Sequence, residues 1–169
     1  MASLHEQAKR NFESTDKWIY LGANDRESGF AKVGMTMGDL STRSSSSESP
    51  GYYIFCAFKC RDDISEARLK SVEAGALNYL EGAFTHPDGS SARAVHHESG
   101  RVSECFYGVD FMDLFQGLHF YLYNNYRDCF SISSFENEFE VEEGEFVDCE
   151  FNQLISQGRV NEYIRMIIQ

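Results

Sequence analysis

Two apolar segments joined by a short polar connection define the first structural unit of this chain. The segments are WIYLG at 18–22 and FAKVGMT at 30–36, and the connection between them, ANDRESG, consists of turn-forming residues. This pattern predicts a β-hairpin. A third segment, YYIFCAFKC at 52–60, is almost continuously apolar and predicts a strand buried on both faces. Together they predict an α+β fold with a small, mostly antiparallel, three-stranded sheet flanked by helices.

Helical periodicity begins after Asp62 or Asp63, either of which is expected to cap a helix that runs to about Leu80. The apolar positions of this helix recur on one face: Leu69, Val72, Ala76, Leu77 and Leu80. We expect that face to pack on the sheet.

Glu73 projects within the same apolar arc. A carboxylate in that position is costly unless it has a partner, so Glu73 is a candidate functional group. An ion pair with Arg43 or Lys32 is the alternative explanation. Glu66 lies almost on the same face, but the helix dipole accounts for a carboxylate in the first turn.

Further helices are predicted at Ser3–Ser14, at Phe111–Tyr126 with His119 as a core histidine, and at Asn152–Ile168 with Leu154 on its packing side. Residues 81–100 are expected to form a loop, and 102–107 a last core strand or the entry to the next helix. At 130–151 acidic residues alternate with aromatic ones, which indicates edge strands or a hairpin turning near Gly144.

The composition indicates one domain with an appendage. The chain has 169 residues, 42% of them hydrophobic, which allows a sizeable core. Five cysteines without a paired CxxC spacing indicate neither a disulfide framework nor a zinc site. No apolar run long enough to span a membrane and no signal-peptide core are present, so a cytoplasmic protein is expected.

The charge is unevenly distributed. The formal net charge is −12, of which residues 110–169, with 3 basic and 12 acidic residues, contribute −9. Residues 1–109, with 12 basic and 15 acidic residues, contribute only −3. Nucleic-acid-binding proteins gain affinity from lysine and arginine. The charge of the C-terminal part is therefore unlike that of a nucleic-acid-binding protein, whereas the nearly neutral first part is compatible with nucleic-acid binding.

Three polar residues of the hairpin region suit an anionic substrate. Tyr20 lies on the first strand, Lys32 on the second, and Arg43 follows eleven residues after Lys32. All three are expected to point toward one side of the sheet.

These residues belong to motifs that resemble the GIY-YIG nuclease superfamily, in particular its phage-type subgroup with Lys-Ile-Gly in place of Tyr-Ile-Gly. The motifs are IYLG at 19–22, AKVGMT at 31–36, the trailing Arg43, Glu73 followed by ALNYL, and SECF at 103–106. The resemblance covers roughly 17–109. Together with the predicted first helix and the charge distribution, it divides the chain into an N-terminal helix at 1–16, a nuclease domain at 17–109, and an acidic extension at 110–169, formed of strands and a helix and packed on that domain.

The resemblance also implies an activity, the metal-dependent hydrolysis of phosphodiester bonds in DNA, with RNA left open. Tyr20 would be the general base, and Lys32 would help its phenol to deprotonate, since the usual pKa of tyrosine is about 10. Arg43 would clamp the scissile phosphate. Glu73 would hold one Mg²⁺ or Mn²⁺ ion.

Four further residues are candidates for substrate binding: Arg26, Asn78, His96 and His97. Solvated surface positions are the alternative for Arg26 and the two histidines. The chain departs from the family pattern at Trp18, Ser47, Asn78 and Cys105, where many members carry glycine, histidine, histidine and tryptophan.

A second hypothesis assigns the chain to another class of protein. It would be a weakened binding module on the same fold, whose acidic extension mimics DNA or binds a basic protein partner. A third possibility is that the extension shields the active face until substrate displaces it.

Overall fold

The structure is a computed structural model, which describes residues 16–38, 40 and 49–169. The predicted helix at Ser3–Ser14, Ser47 and the candidate Arg43 lie outside the described residues. The described part has an α+β architecture, as predicted.

The described chain contains eight strands and three α-helices. The strands are β1 Trp18–Asn24, β2 Ala31–Thr36, β3 Tyr52–Lys59, β4 Arg93–Val95, β5 Val102–Phe106, β6 Ile132–Glu136, β7 Glu142–Val147 and β8 Cys149–Phe151. The helices are α1 Glu66–Ala83, α2 Phe111–Tyr126 and α3 Gln157–Ile167, and a short 3₁₀ turn, Arg127–Cys129, follows α2.

The main sheet has six strands in the order β4-β5-β2-β1-β3-β8, and all its neighbours are antiparallel. The prediction of three strands was therefore too small. The predicted hairpin forms the centre, with Tyr20 opposite Gly34, and β5 is the predicted last core strand. Strand β4 falls in the predicted loop and was missed, because its three residues are too few to show a periodic pattern. Strand β8 lies within 130–151, where edge strands were predicted, and only its pairing with β3 was not predicted.

One face of the sheet carries the main hydrophobic core, to which all three helices contribute. The five apolar positions predicted for α1 are all buried. Helix α2 has the predicted bounds, and His119 is fully buried in it. The cap of α1 differs from the prediction, because the side chain of Ser65 accepts a hydrogen bond from the backbone N–H of Arg68.

The segment 110–169 shares this core with 17–109. The ring of Phe55 on β3 makes edge-on contacts, with centroid distances between 4.9 and 5.6 Å, to four aromatic rings of that segment. Strand β8 of the same segment pairs with β3 at the edge of the sheet. The acidic segment is thus built into the sheet as well as lying against it.

Strands β6 and β7 form a separate two-stranded hairpin. Its turn is built by Asn137, whose side-chain oxygen accepts hydrogen bonds from the backbone N–H groups of Phe139 and Val141. The turn predicted near Gly144 was therefore misplaced, because Gly144 lies inside β7. The acidic residues of the hairpin at 136, 138, 140, 142 and 143 are exposed, as predicted.

The closing helix is shorter than predicted. It begins after Ser156, whose side chain accepts a hydrogen bond from the backbone of Arg159, and the preceding residues form a turn around Asn152. Leu154 is 87% exposed instead of packed. Within the described part of the chain, no helix is both long enough and apolar enough to cross a membrane.

Candidate functional site

The second face of the central sheet carries two of the residues predicted to form the site, Tyr20 and Lys32. Side chains alternate between the faces of a strand, so Tyr20 lies on the face opposite Ile19 and Leu21, which belong to the helix-covered core. On β2, Lys32 likewise lies on the face opposite Ala31 and Val33, which belong to the same helix-covered core. Tyr20 and Lys32 therefore share the face that α1 does not cover, as predicted from the hairpin.

Tyr20 occupies the space above Gly34 on the neighbouring strand. A Cβ atom at Gly34 would lie less than 3.0 Å from three atoms of the tyrosine ring and hydroxyl. Tyr20 is 2% exposed and belongs to a small second hydrophobic cluster with Trp18, Leu40, Ile54 and Ala57. The glycine of the KVG motif is thus required by the aromatic ring that lies over it.

Tyr52, at the start of β3, is a further member of the site that the sequence alone did not reveal. Its ring occupies the space above Gly22, where a Cβ atom would lie less than 3.0 Å from three of its atoms. The Lys32 ammonium lies 5.7 Å from the centroid of this ring, at cation–π distance. Each of the two glycines in the central strands therefore makes room for one tyrosine on this face.

Cys105 is the other residue that sequence reasoning missed as a neighbour of Lys32. The two residues are paired directly across β2 and β5. Burial raises the pKa of the Cys105 thiol, while the positive charge of Lys32 lowers it. In the sequence, Cys105 was noted only as the residue that replaces tryptophan in the SECF motif. The position of Cys105 opposite Lys32 depends on the register between β2 and β5, which the sequence did not reveal.

Glu73 comes from the layer on the other side of the sheet. It is half-buried on α1, whose apolar face packs into the main core. The structure therefore brings Tyr20 and Lys32 together on one face and carries Glu73 on the opposite layer. A common site for Tyr20, Lys32 and Glu73 therefore stays a prediction.

The four candidates for substrate binding are exposed and spread over separate elements. Arg26 lies in the β1–β2 turn, Asn78 lies on α1, and His96 and His97 lie in the β4–β5 loop. Since β4 and β5 form one end of the sheet, the histidines flank the strand that pairs with Lys32. Of the four, Arg26 lies in the turn that joins the two strands carrying Tyr20 and Lys32.

The carboxylate of Glu73 suits a site with a single protein ligand. Mg²⁺ is commonly held by one or two carboxylates, with water and substrate phosphates completing its shell. Among the described residues, no group of three or more histidine, cysteine, aspartate or glutamate side chains is arranged to hold a metal ion. A Mg²⁺ or Mn²⁺ ion held by Glu73 alone therefore stays a prediction.

Comparisons of the chain with protein-family models, with curated proteins and with solved structures give no match.

Proposed function

We propose that this protein is a metal-dependent endonuclease of the GIY-YIG type, which hydrolyses phosphodiester bonds in DNA. The observation that carries the proposal is the arrangement of Tyr20 and Lys32 on one sheet face, with the Tyr20 ring over Gly34. We further infer that it acts in a reducing compartment such as the cytoplasm, where its five cysteines remain thiols.

In this mechanism Tyr20 accepts a proton from the attacking water. Its phenol has to be deprotonated first, and a positive charge on the same face favours the phenolate. Lys32 supplies that charge through a rigid, hydrogen-bonded hairpin. Arg43 would bind the scissile phosphate through a planar guanidinium, which matches two phosphate oxygens at once.

Glu73 would hold the Mg²⁺ or Mn²⁺ ion. When bound, the ion supplies charge stabilisation for the phosphate oxygens and the leaving oxygen. Glu73 is half-buried at the edge of an apolar helix face, so its carboxylate is partly shielded from water and suited to hold a cation.

A second candidate function is that of a binding module on the same fold. Two observations favour it: the Tyr20 side chain is 2% exposed, and the β6–β7 hairpin presents five exposed glutamates. A hairpin of this charge would mimic DNA or bind a basic protein partner. In this role Tyr20 would serve packing only.

The two functions are distinguished by cleavage of supercoiled plasmid in Mg²⁺ or Mn²⁺. We expect nicking by the wild type, and its loss in Tyr20→Phe and in Glu73→Gln. Glu66→Gln is the matched control, since Glu66 is an exposed glutamate on the same helix that pairs with Lys70. Absence of nicking by a folded wild type across metals and substrates would reject the nuclease and favour the binding module. Equal loss in Glu66→Gln would reject a specific role for Glu73.

A further inference from the structure

A groove lies where β3 ends against the acidic segment. It has a volume of about 810 Å³ and is lined by residues of α2, the 3₁₀ turn and the chain entering β6, together with Arg61. Its floor is fixed by backbone hydrogen bonds, from Arg61 to the carbonyl of Cys129 and from Ser131 to that of Lys59. We call this concavity the α2 groove.

The α2 groove contains two arginines in a protein that is strongly acidic. Its lining includes Arg61 and Arg127 against one acidic residue, Asp128. A smaller adjoining cavity of about 350 Å³ shares Arg61 and adds Lys59, with Asp62 and Asp63 also on its wall. Of the three basic residues in the acidic segment, Arg127 is the one placed here.

The two arginines keep binding capacity although both are paired. Arg61 is 56% exposed and lies 3.5 Å from Asp63, while Arg127 is 48% exposed and lies 2.6 Å from Glu145. A guanidinium has five N–H donors, and one such contact leaves others for a phosphate. The Tyr123 ring, 4.9 Å from the guanidinium carbon of Arg127, further fixes its orientation.

Neighbouring residues on α2 suit bases and sugars. Asn124 and Asn125 line the groove with neutral amides. Phe120 is 48% exposed and precedes Asn124 by one helical turn, so both lie on the same helix face. Phe120 is thus one helical turn from a residue that lines the groove. Exposed aromatic rings and arginines are the groups with which proteins bind single strands, stacking bases and neutralising phosphates.

The groove adjoins the end of the strand that pairs with Tyr20. Ala57 is the partner of Tyr20 in β3, and Arg61 follows it by four residues, about 13 Å of extended chain at about 3.3 Å per residue. We propose that the α2 groove binds a single nucleic-acid strand that flanks the scissile phosphate, with Arg61 and Arg127 on phosphates and Phe120 stacked on a base. This proposal rests on the proposed nuclease function.

The test is the binding of a fluorescently labelled single-stranded 20-mer by the full chain in EDTA, followed by anisotropy as salt is varied. We expect Arg61→Ala to weaken binding several-fold and to reduce the slope of log affinity against log salt by about 0.7. Phe120→Ala should weaken binding about tenfold and leave the slope unchanged. Arg159→Ala, which removes a 62%-exposed arginine on α3, is the matched control and should change neither quantity.

The outcomes separate this proposal from the nuclease function. If the wild type nicks plasmid while Arg61→Ala and Phe120→Ala bind the strand as the wild type does, the groove proposal is wrong and the nuclease stands. If the strand binds and these variants weaken it, but no plasmid is nicked, the groove proposal holds and the nuclease fails. Absence of strand binding by the wild type, or an equal loss in Arg159→Ala, also overturns the groove proposal.

Discussion

Gly34 lies beneath the ring of Tyr20, and the two residues face each other across the central pair of strands. The tyrosine and the glycine therefore form one packing unit, although they are fourteen positions apart in the sequence. The role of the KVG glycine is to leave room for the ring that we propose as the catalytic base.

Replacing Gly34 with alanine should displace the Tyr20 ring. The added methyl group would overlap atoms of a ring that is nearly fully buried, and overpacking of this kind costs about 1–3 kcal/mol. Urea denaturation measures the loss. Gly38→Ala is the control, because a Cβ atom there meets nothing within 4 Å, and its effect should stay within about 0.5 kcal/mol. Equal stability of Gly34→Ala and the wild type would contradict the stacked arrangement.

The pairing of Lys32 with Cys105 predicts how fast that thiol reacts. Cys105 is half-buried and the other four cysteines are buried, so it should be alkylated first in the folded protein. Because the Lys32 charge lowers the pKa of the thiol, Lys32→Met should raise that pKa and slow alkylation at pH 8.

The rates are measured with iodoacetamide, and the modified residue is identified by mass spectrometry. Lys70→Met, which removes an exposed lysine on α1, should leave the rate unchanged. A rate for Lys32→Met equal to that of the wild type would show that the two side chains do not interact.

The parts of the fold that follow from local periodicity could be predicted. The buried stripe of α1, the bounds of α2 and the central hairpin each rest on patterns within a single segment. The pairing of the edge strand β8 with β3 could not, because β3 lies about ninety residues earlier and β8 has only three residues. The N-terminal cap of α1 was ambiguous in the sequence, because Asp62, Asp63 and Ser65 all offer a side-chain oxygen near the start of this helix.

The candidate site, too, could be predicted only where its residues belong to one local segment. Tyr20 and Lys32 lie on one face because a hairpin with known alternation puts them there. Tyr52 and Cys105 become neighbours of Lys32 only through the registers of β3 and β5. The α2 groove depends on residues from both halves of the chain, so no local pattern could indicate it.

The ion pair between Arg93 on β4 and Glu81 on α1 should contribute to stability. The Arg93 side chain is 12% exposed, and it also donates a hydrogen bond to the carbonyl of Ser103. Removing a largely buried charged donor leaves its acceptors unpaired, so Arg93→Ala should cost about 1–3 kcal/mol.

A double-mutant cycle with Glu81→Gln isolates the pair itself, for which we expect a coupling energy of about 1 kcal/mol. Arg159 and Glu162 provide the comparison, since both are more than 60% exposed and lie 3.8 Å apart. Their coupling should be below about 0.5 kcal/mol. A coupling in the Arg93 cycle no larger than this would contradict a stabilising role.

His119 should make the stability of the protein depend on pH between about 4 and 6.5. Its Nε2 atom accepts a hydrogen bond from the backbone N–H of Val147, and its Nδ1 atom has no hydrogen-bond partner among the described residues. Burial lowers the pKa of His119 from 6.5 to about 4. The unfolded chain therefore binds a proton between these values that the folded protein does not.

The direction in which the unfolding free energy changes with pH follows from that difference in proton binding. The contribution of His119 is fully present above pH 6.5 and is lost as the pH falls toward the folded pKa of about 4, a change of about 3 kcal/mol. The half-buried carboxyl of Asp148, whose pKa is raised by its partial burial, acts in the opposite direction. The pKa of Glu145 is lowered by its hydrogen bond from Arg127, and this carboxyl acts in the same direction as His119.

Comparison with His119→Gln removes those other contributions, because both carboxyls are retained and the amide oxygen of glutamine can still accept from Val147. Urea denaturation at several pH values between 4 and 7.5 should give a steeper fall in unfolding free energy for the wild type than for the variant. Parallel curves would mean that His119 titrates as it does in the unfolded chain, and that its burial at the contact between α2 and β7 does not hold it in the neutral form.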